Sequence, residues 1–310
     1  MNQKVNLARQ TNYAINEYRA NGLSERFNQI CKLIIETQNA DYNIRFAKAV
    51  VKVARNMDVL AHGRVVLEFG SAEQNYDFAR FIKGADTRAH REKIIESGSV
   101  EYNLYAGKSY ELKDEFQEEY VNKHGAVVSK TGGPMFNYTF INNNKISTLD
   151  RQPHIDNIIQ SRSSLINLKV AKNIEGIDIE PHSKVVAQFG SAEENFEFLL
   201  IDGSNKTRHQ TVIAQSQDVI MNLRCLIEFP VSSKKILQKQ LDVIFSGTDN
   251  EAKYEAFVWL KTKTNLKTQE DFDKYLPKVG QFIRDVKANK IVVGRREFRY
   301  LNRDDAGFKC

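Results

Sequence analysis

The sequence predicts an α+β protein in which one helix–strand–hairpin–strand–glycine loop–helix unit occurs twice and precedes a helical C-terminal module. The main observation is internal similarity: the stretches beginning at Val65 and Val185 share 11 of 24 residues without a gap, at an offset of 120. Similarity at a fixed offset indicates a repeated structural unit. The second observation is charge, since residues 251–310 hold 14 Lys/Arg against 9 Asp/Glu and so carry +5 of the net +6.

Composition restricts the class of protein further. The 310 residues are 41% hydrophobic and 27% charged, which is ordinary for a chain with a packed core and excludes a fibrous or wholly disordered protein. Cys31, Cys225 and Cys310 lie far apart and predict neither a disulfide framework nor a metal-binding pair. We expect no secretory signal and no membrane span, because no long apolar run occurs. The chain is therefore predicted to be cytoplasmic.

Each copy is expected to begin with a helix and continue as two strands. Asp41 is a good N-cap residue, and apolar residues follow it at helical spacing. The β-branched runs at 64–69 and 184–189 have the length of a strand. Gly-Ser-Ala-Glu-x-Asn then predicts a hairpin turn, and the aromatic run after it predicts a second strand. A glycine loop and a Thr-Arg pair open the next helix.

Four segments follow from this order. They are a degenerate first unit with N-terminal helices, a linker containing Gly-Gly-Pro, a second unit, and a helical basic module. Their ranges are 1–130, 131–144, 145–230 and 231–310. Within the last segment, helices are predicted over 234–245, 251–263 and 268–289.

The strand–glycine–helix junction is the candidate phosphate site. Glycine lets the backbone approach a ligand, a helix N-terminus presents free N–H groups to an anion, and an arginine fork matches phosphate. The alternative is an ordinary junction in which threonine caps the helix and arginine pairs with a carboxylate. The candidate residues are Asp202, Gly203, Ser204, Thr207, Arg208 and His209, with Lys83, Gly84, Thr87 and Arg88 in the first copy.

The box Ile201-Asp202-Gly203 with Arg208, preceded by a helix and a Val-Val run, resembles the ParB/sulfiredoxin-like fold. The segment from Ile146 is similar to the opening of such domains. The resemblance implies nucleotide-phosphate binding or hydrolysis at Asp202, Gly203 and Arg208, with a degenerate counterpart at Lys83, Gly84 and Arg88. Both loops are longer between glycine and arginine than the family box. Neither box contains a cysteine, which argues against sulfiredoxin chemistry.

Six histidines are scattered without a zinc-binding spacing, so no metal site is predicted. His62 and His182 precede the Val-Val run at equivalent positions, which indicates a shared structural hydrogen bond. His90 and His209 follow the arginines closely. They are either acid–base or phosphate-binding groups or exposed residues of a first helical turn.

The basic C-terminal end is the candidate nucleic-acid surface, because arginines bind phosphates and aromatic rings stack on bases. The alternative is a solvated charged surface diluted by neighbouring acidic residues. The candidate residues are Arg295, Arg296, Phe298, Arg299, Tyr300 and Arg303.

These features predict a nucleotide- or DNA-phosphate-binding protein that acts on or beside DNA, of phage or mobile-element origin. A nucleotide with Mg²⁺ is the cofactor that this role would use, and a homo-oligomer is compatible with it. One alternative is a ParB-like nuclease or nucleotide hydrolase, for which no catalytic residue can be assigned. The other is a non-enzymatic interaction protein that inhibits a host factor.

Overall fold

The computed structural model describes residues 6–108, 117–144, 146–231, 233–266, 268–288 and 290. Within these ranges the chain forms 19 α-helices and no strand. The predicted α+β class is therefore wrong, and so is the resemblance to the ParB/sulfiredoxin-like fold, which requires a β-sheet. The ParB-like nuclease interpretation depended on that resemblance and loses its support, and the structure gives no evidence for the DNA-binding, nucleotide-binding or phage assignments.

The chain divides into two compact units, Met1–Ser161 and Arg162–Cys310. The helices of the first unit are α1 (Leu7–Asn21), α2 (Glu25–Ile35), α3 (Ala40–Val50), α4 (Val59–Phe69), α5 (Ala72–Phe81), α6 (Thr87–Glu96), α7 (Val100–Gly107), α8 (Gln117–Thr131), α9 (Pro134–Asn143) and α10 (Gln152–Gln160). Those of the second unit are α11 (Ser164–Asn173), α12 (Glu180–Phe189), α13 (Ala192–Leu199), α14 (Lys206–Gln215), α15 (Val219–Glu228), α16 (Lys234–Ser246), α17 (Asn250–Lys263), α18 (Gln269–Tyr275) and α19 (Pro277–Lys287).

Both units are stacks of helical hairpins in two layers. Each odd-numbered helix from α3 to α15 packs most extensively on the helix that follows it, and together they form one hairpin. In the first unit the odd helices α3, α5, α7 and α9 pack successively on one another, as do the even helices from α4 to α10. The second unit repeats the arrangement, with α11, α13 and α15 in one layer and α12, α14 and α16 in the other.

The predicted strands at 64–69 and 184–189 are the C-terminal halves of α4 and α12. His62, Val65 and Val66 are all buried, which is the i, i+3, i+4 pattern of a helix that covers a core with one face. The β-branched content of these runs favours a strand only weakly, and packing in the helical stack overrides it. The predicted hairpin turns are helix starts, since Ser71 and Ser191 form capping boxes with Gln74 and Glu194.

Some of the other predicted elements are confirmed, and others are wrong. The helix predicted at Asp41 is confirmed as α3, although its N-cap is Asn39 and Asp41 lies in its first turn. The Thr-Arg pairs do open helices α6 and α14. The helices predicted near the C-terminus are confirmed as α16, α17 and the pair α18 and α19. The segment 131–144, assigned from sequence to a linker, contains α9. The candidate nucleic-acid residues Arg295, Arg296, Phe298, Arg299, Tyr300 and Arg303 lie outside the described residues.

Candidate functional site

The most regular feature of the described chain is a series of buried hydrogen bonds between asparagine and histidine. All six histidines of the sequence take part, each through Nδ1 to the Oδ1 of an asparagine in the preceding helix of the same hairpin. In the first unit the pairs are Asn43–His62 (2.7 Å), Asn75–His90 (2.8 Å), Asn103–His124 (2.8 Å) and Asn137–His154 (2.6 Å). In the second they are Asn167–His182 (2.6 Å) and Asn195–His209 (2.7 Å).

The surrounding contacts define which atom donates the proton. The Nδ2 group of Asn75 donates to the carbonyl of Ser71 (2.9 Å) and to that of Val66 (3.3 Å), so Oδ1 is the acceptor. Nδ1 of His90 must therefore carry the hydrogen, which leaves Nε2 with an unprotonated lone pair. One asparagine side chain thus joins the end of α4, the start of α5 and the middle of α6.

Burial makes these histidines poor proton carriers at neutral pH. It lowers the pKa of His62, His90, His182 and His209 to about 4, and that of His154 likewise. It lowers the pKa of His124 to about 3, with a further contribution from the Arg91 guanidinium. The charged imidazolium is disfavoured because the core offers it no solvation. All six rings are neutral scaffold groups near pH 7.

The predictions for the histidines meet different outcomes. The shared structural hydrogen bond predicted for His62 and His182 is confirmed. The reading of His90 and His209 as exposed first-turn residues is wrong, since neither side chain has any exposed surface. His209 uses Nδ1 on Asn195 and Nε2 on the Ser183 hydroxyl at 2.9 Å.

Two of the six histidines, His62 and His124, are followed by a glycine that the packing of the stack requires. A Cβ atom on Gly63 would lie 3.1 Å from the Phe78 ring and 3.4 Å from Nε2 of His90. On Gly125 it would lie 3.0 Å from the Phe140 ring. Each glycine therefore admits the aromatic and histidine side chains of the next hairpin, which is why His-Gly occurs at both positions.

The candidate phosphate residues of the second copy lie around Arg208. Its guanidinium donates to the Glu180 carboxylate through Nη1 at 2.9 Å and Nη2 at 2.7 Å, and Nη1 also donates to the Ser183 hydroxyl at 2.8 Å. The bidentate pair raises the pKa of Arg208 and lowers that of Glu180, the Arg208 hydrogen bond being the largest cause for the latter. This is the carboxylate pairing left open as the alternative to phosphate binding.

The remaining residues of this box have local roles. Gly203 adopts φ of 76°, and Asn205 caps α14 by accepting from the Arg208 backbone N–H. Asp202 and Thr207 are exposed, whereas the Ser204 hydroxyl is buried without a hydrogen-bond partner among the described atoms. The glycine therefore serves a left-handed turn between two helices, and not a strand-to-helix junction as predicted.

The first copy places its arginine in an exposed ion-pair network. Arg88 contacts Glu119 at 3.3 Å, and Lys123 lies 2.9 Å from Glu92, which also accepts from the Tyr120 hydroxyl. Gly84 again has positive φ, 86°, while Lys83 is exposed and Thr87 is the first residue of α6. Both predicted arginines thus contact carboxylates, and phosphate binding by these boxes stays a prediction.

Ser183, His209 and Asn195 reproduce the order of a nucleophile, a base and an orienting group. The Ser183 hydroxyl lies 2.9 Å from Nε2 of His209, whose Nδ1 is bound by Asn195. Ser183 is only 1% exposed, and Arg208 already donates to its oxygen. Because a substrate cannot reach the hydroxyl and the same Asn–His pair recurs in five other hairpins, we assign this group to the scaffold.

An exposed surface of a different composition lies on the odd helices of the first unit. We call it the aromatic belt, and it consists of the exposed Lys48, Arg80 and Phe81, the half-buried Tyr102, Tyr105 and Lys108, and the buried Tyr76, whose ring contacts Arg80, Tyr102 and Tyr105. Lys48 lies 4.1 Å and Arg80 5.2 Å from the centroid of the Phe81 ring, which is 44% exposed. Arg80 also lies over Tyr76, and Lys108 lies 4.9 Å from the Tyr105 ring. Ring contacts of 5.9 to 6.0 Å join the three tyrosines, so the belt crosses α3, α5 and α7.

The described surface includes two shallow cavities. One, of about 300 Å³, lies between α2 and α4 of the first unit and is lined by Phe27, Cys31 and Met57 among others. The other, of about 190 Å³, lies between α16 and the start of α19 in the second unit. The part of the chain that the structure describes contains no group of three or more His, Cys, Asp or Glu side chains placed to hold a metal. In the same residues no helix is long and apolar enough to cross a membrane.

Comparisons with protein-family models, with curated proteins and with solved structures find no match for this chain. The fold and site therefore define its class, a protein of stacked helical hairpins with a buried Asn–His pair in each of six repeats.

The structural role of the asparagines was not predicted, although their position in each helix and their regular recurrence indicate it. Each stands four residues after the N-cap of its helix, as in Ser71-x-x-x-Asn75 and Ser99-x-x-x-Asn103. Seven such asparagines recur 27 to 34 residues apart, at positions 43, 75, 103, 137, 167, 195 and 222. The 120-residue offset found in the sequence is thus four shorter repeats, of which the second and sixth retained the most similar residues.

Proposed function

We propose that this protein is a non-enzymatic protein-binding module whose helical stack presents the aromatic belt to a partner protein. The observation that carries the proposal is the composition of the belt, in which tyrosine, phenylalanine and arginine form one contiguous surface. Tyrosine and arginine are enriched among the residues that contribute most of the binding energy of protein interfaces, and phenylalanine is enriched in interface cores. Stacked repeats in general provide extended binding surfaces of this kind.

The scaffold supports the same proposal. The six histidines and their asparagines are used inside the stack, where their side chains are buried. The polar groups that enzymes most often use for acid–base chemistry are therefore committed to structure in the described chain. On the belt, in contrast, Lys48, Arg80 and Lys108 each stand five residues after the asparagine of their hairpin, so three successive hairpins contribute a cation to this surface.

A cytoplasmic location is part of this proposal. Cys31 and Cys225 are free thiols, and burial raises the pKa of each to about 12. Thiols of this kind are usual in a reducing compartment. The protein-binding role itself does not depend on this location.

The experiment is a selection of random displayed peptides on the immobilised chain. We expect enriched peptides to lose at least about tenfold in affinity for the variant Arg80→Ala/Phe81→Ala, since truncating such anchor residues costs more than 1 kcal/mol. The matched control is Lys274→Ala/Tyr275→Ala, which removes an isolated cation–aromatic pair of the second unit, 5.0 Å apart. Peptides that bind both variants equally well, or no enrichment at all, would contradict the proposal.

A further inference from the structure

The first and fifth hairpins share an exposed phenylalanine that the scaffold does not explain. Phe69 and Phe189 are the last residues of α4 and α12, and their exposed fractions are 44% and 41%. Their neighbours have structural reasons to be identical. Gly70 and Gly190 end the helices where a Cβ would lie 2.4 or 2.5 Å from a backbone oxygen, and the serines that follow cap the next helix. The rings, in contrast, face solvent in both repeats.

In the second unit a cationic side chain lies over the exposed ring. The guanidinium carbon of Arg162 lies 5.6 Å from the centroid of the Phe189 ring, within the distance of a cation–π contact. Arg162 stands directly before the N-cap of α11 and has φ of 58°. Arg162 therefore connects the start of the hairpin formed by α11 and α12 with the end of that hairpin.

In the first unit the equivalent place is taken by an uncharged residue. Gln38 stands directly before the N-cap of α3, and its φ of 53° matches that of Arg162. Among the residues that the structure describes, no cation lies over the Phe69 ring. The Phe69 ring therefore presents its face without the guanidinium that covers its counterpart.

The charges next to Phe69 favour a basic ligand. Glu68 precedes the ring, and the exposed Glu73 lies in the first turn of α5. Glu68 is exposed and adjacent to Phe69 in the sequence, and a carboxylate is the group that a guanidinium binds through hydrogen bonds.

From these contacts we infer that Phe69 is a docking point for an arginine side chain of a partner protein, in the geometry that Arg162 adopts on Phe189. The inference deepens the proposed protein-binding function but uses a surface other than the aromatic belt. It also explains why the phenylalanine is kept in both repeats. One ring is contacted by an arginine of the chain itself, although it stays 41% exposed, and the other is left for a partner.

The test uses the full chain with ¹³C-labelled phenylalanine rings and a peptide of alternating arginine and glycine. The Phe69 ring resonance, assigned as the signal missing in Phe69→Leu, should shift with this peptide and not with a matched peptide of glutamine and glycine. In the variant Gln38→Arg, the introduced guanidinium should lie over the Phe69 ring and compete with the peptide. The affinity for the peptide should therefore fall about two- to fivefold. Gln38→Met, of similar size and without charge, should bind the peptide like wild type.

The reverse variant gives a second readout. Arg162→Gln uncovers Phe189, so its ring resonance should become a second signal that responds to the arginine peptide. The absence of a shift at Phe69, or equal affinities of wild type and Gln38→Arg, would overturn the inference. The belt variant Arg80→Ala/Phe81→Ala should leave the Phe69 response unchanged. If Phe69 does not respond while belt-dependent partners still bind, this inference alone fails and the proposed function stands.

Discussion

His90 donates its Nδ1 hydrogen to Oδ1 of Asn75 at 2.8 Å, and the two side chains are 0% and 1% exposed. This pair joins the two helices of one hairpin, and its counterparts recur in five others. A buried polar pair of this kind stabilises a fold less by its attraction than by the cost of leaving either partner unsatisfied. The effect expected for replacing the asparagine depends on that asymmetry.

Replacing the asparagine should be strongly destabilising. Asn75→Ala leaves the Nδ1 hydrogen of His90 buried without an acceptor and removes the donors to the Ser71 and Val66 carbonyls. We expect a loss of about 3 kcal/mol in the free energy of unfolding, measured by urea titration. Asn28→Ala, at an exposed asparagine of α2, is the control and should change stability by less than about 0.5 kcal/mol. Similar effects of the two substitutions would refute a structural role for the pair.

Stability should fall steeply in mild acid. The folded-state pKa values of the histidines, about 4 for five of them, lie below the value near 6.5 of an unfolded chain, so the unfolded state binds more protons. The stabilisation is complete above pH 6.5 and is lost as the pH falls towards 4. At pH 5 each buried histidine should cost about 2 kcal/mol.

The measurement is the urea midpoint between pH 8 and pH 5, with the two units followed separately by hydrogen exchange. The first unit contains four of the six pairs and should lose about twice as much stability as the second. His62→Gln keeps a donor for Asn43 and should flatten the pH dependence of the first unit by about a quarter. A flat profile over this range would show that the histidines are not buried in the neutral form.

A substitution in the seventh repeat should raise the stability of the second unit. Asn222 occupies the asparagine position, but the histidine position holds Gln240, and in the described structure neither Asn222 Oδ1 nor the Gln240 amide has a hydrogen-bond partner. Gln240→His should restore the pair and raise the free energy of unfolding of the second unit by about 1 kcal/mol at pH 8. The gain should vanish in the double variant with Asn222→Ala. A gain that survives there would come from some other contact.

Two short turns test the cost of a left-handed backbone. Gln38 and Gly98 both precede an N-cap with positive φ, 53° and 67°. Gln38→Gly should stabilise the first unit by about 0.5 to 1 kcal/mol, and Gly98→Ala should destabilise it by a similar amount. No atom lies within 4 Å of a Cβ built on Gly98, so backbone strain alone is measured. Thermal unfolding of both variants in one buffer decides the sign.

Sequence alone predicts part of this architecture well. The internal repeat, several helix starts and the structural role of His62 and His182 follow from residue patterns. The runs around Val65 and Val185 were predicted as strands because β-branched residues and short length outweighed the helical spacing His62, Val65, Val66. Because the two most similar repeats are four hairpins apart, their offset of 120 residues does not indicate the shorter period of 27 to 34 residues. Burial of His90 and His209 could not be predicted, because it arises from neighbouring hairpins that cover them.

The pairing of the arginines could not be predicted from their own segments either. Arg208 binds Glu180, which lies two helices earlier in the chain. Arg88 binds Glu119, which lies 31 residues later in the chain. A glycine followed by an arginine at a helix start is equally consistent with anion binding and with such a pair. Only the packing of one hairpin on the next distinguishes the two.

The most direct test of the central claim, that the histidines are buried scaffold groups bound to asparagine, is long-range ¹H–¹⁵N NMR of the imidazole rings as a function of pH. We predict six neutral rings at pH 7, each with the hydrogen on Nδ1 and an unprotonated Nε2, that do not titrate above pH 5. Rings that carry the hydrogen on Nε2, or that titrate near pH 6.5 in the folded protein, would contradict this account.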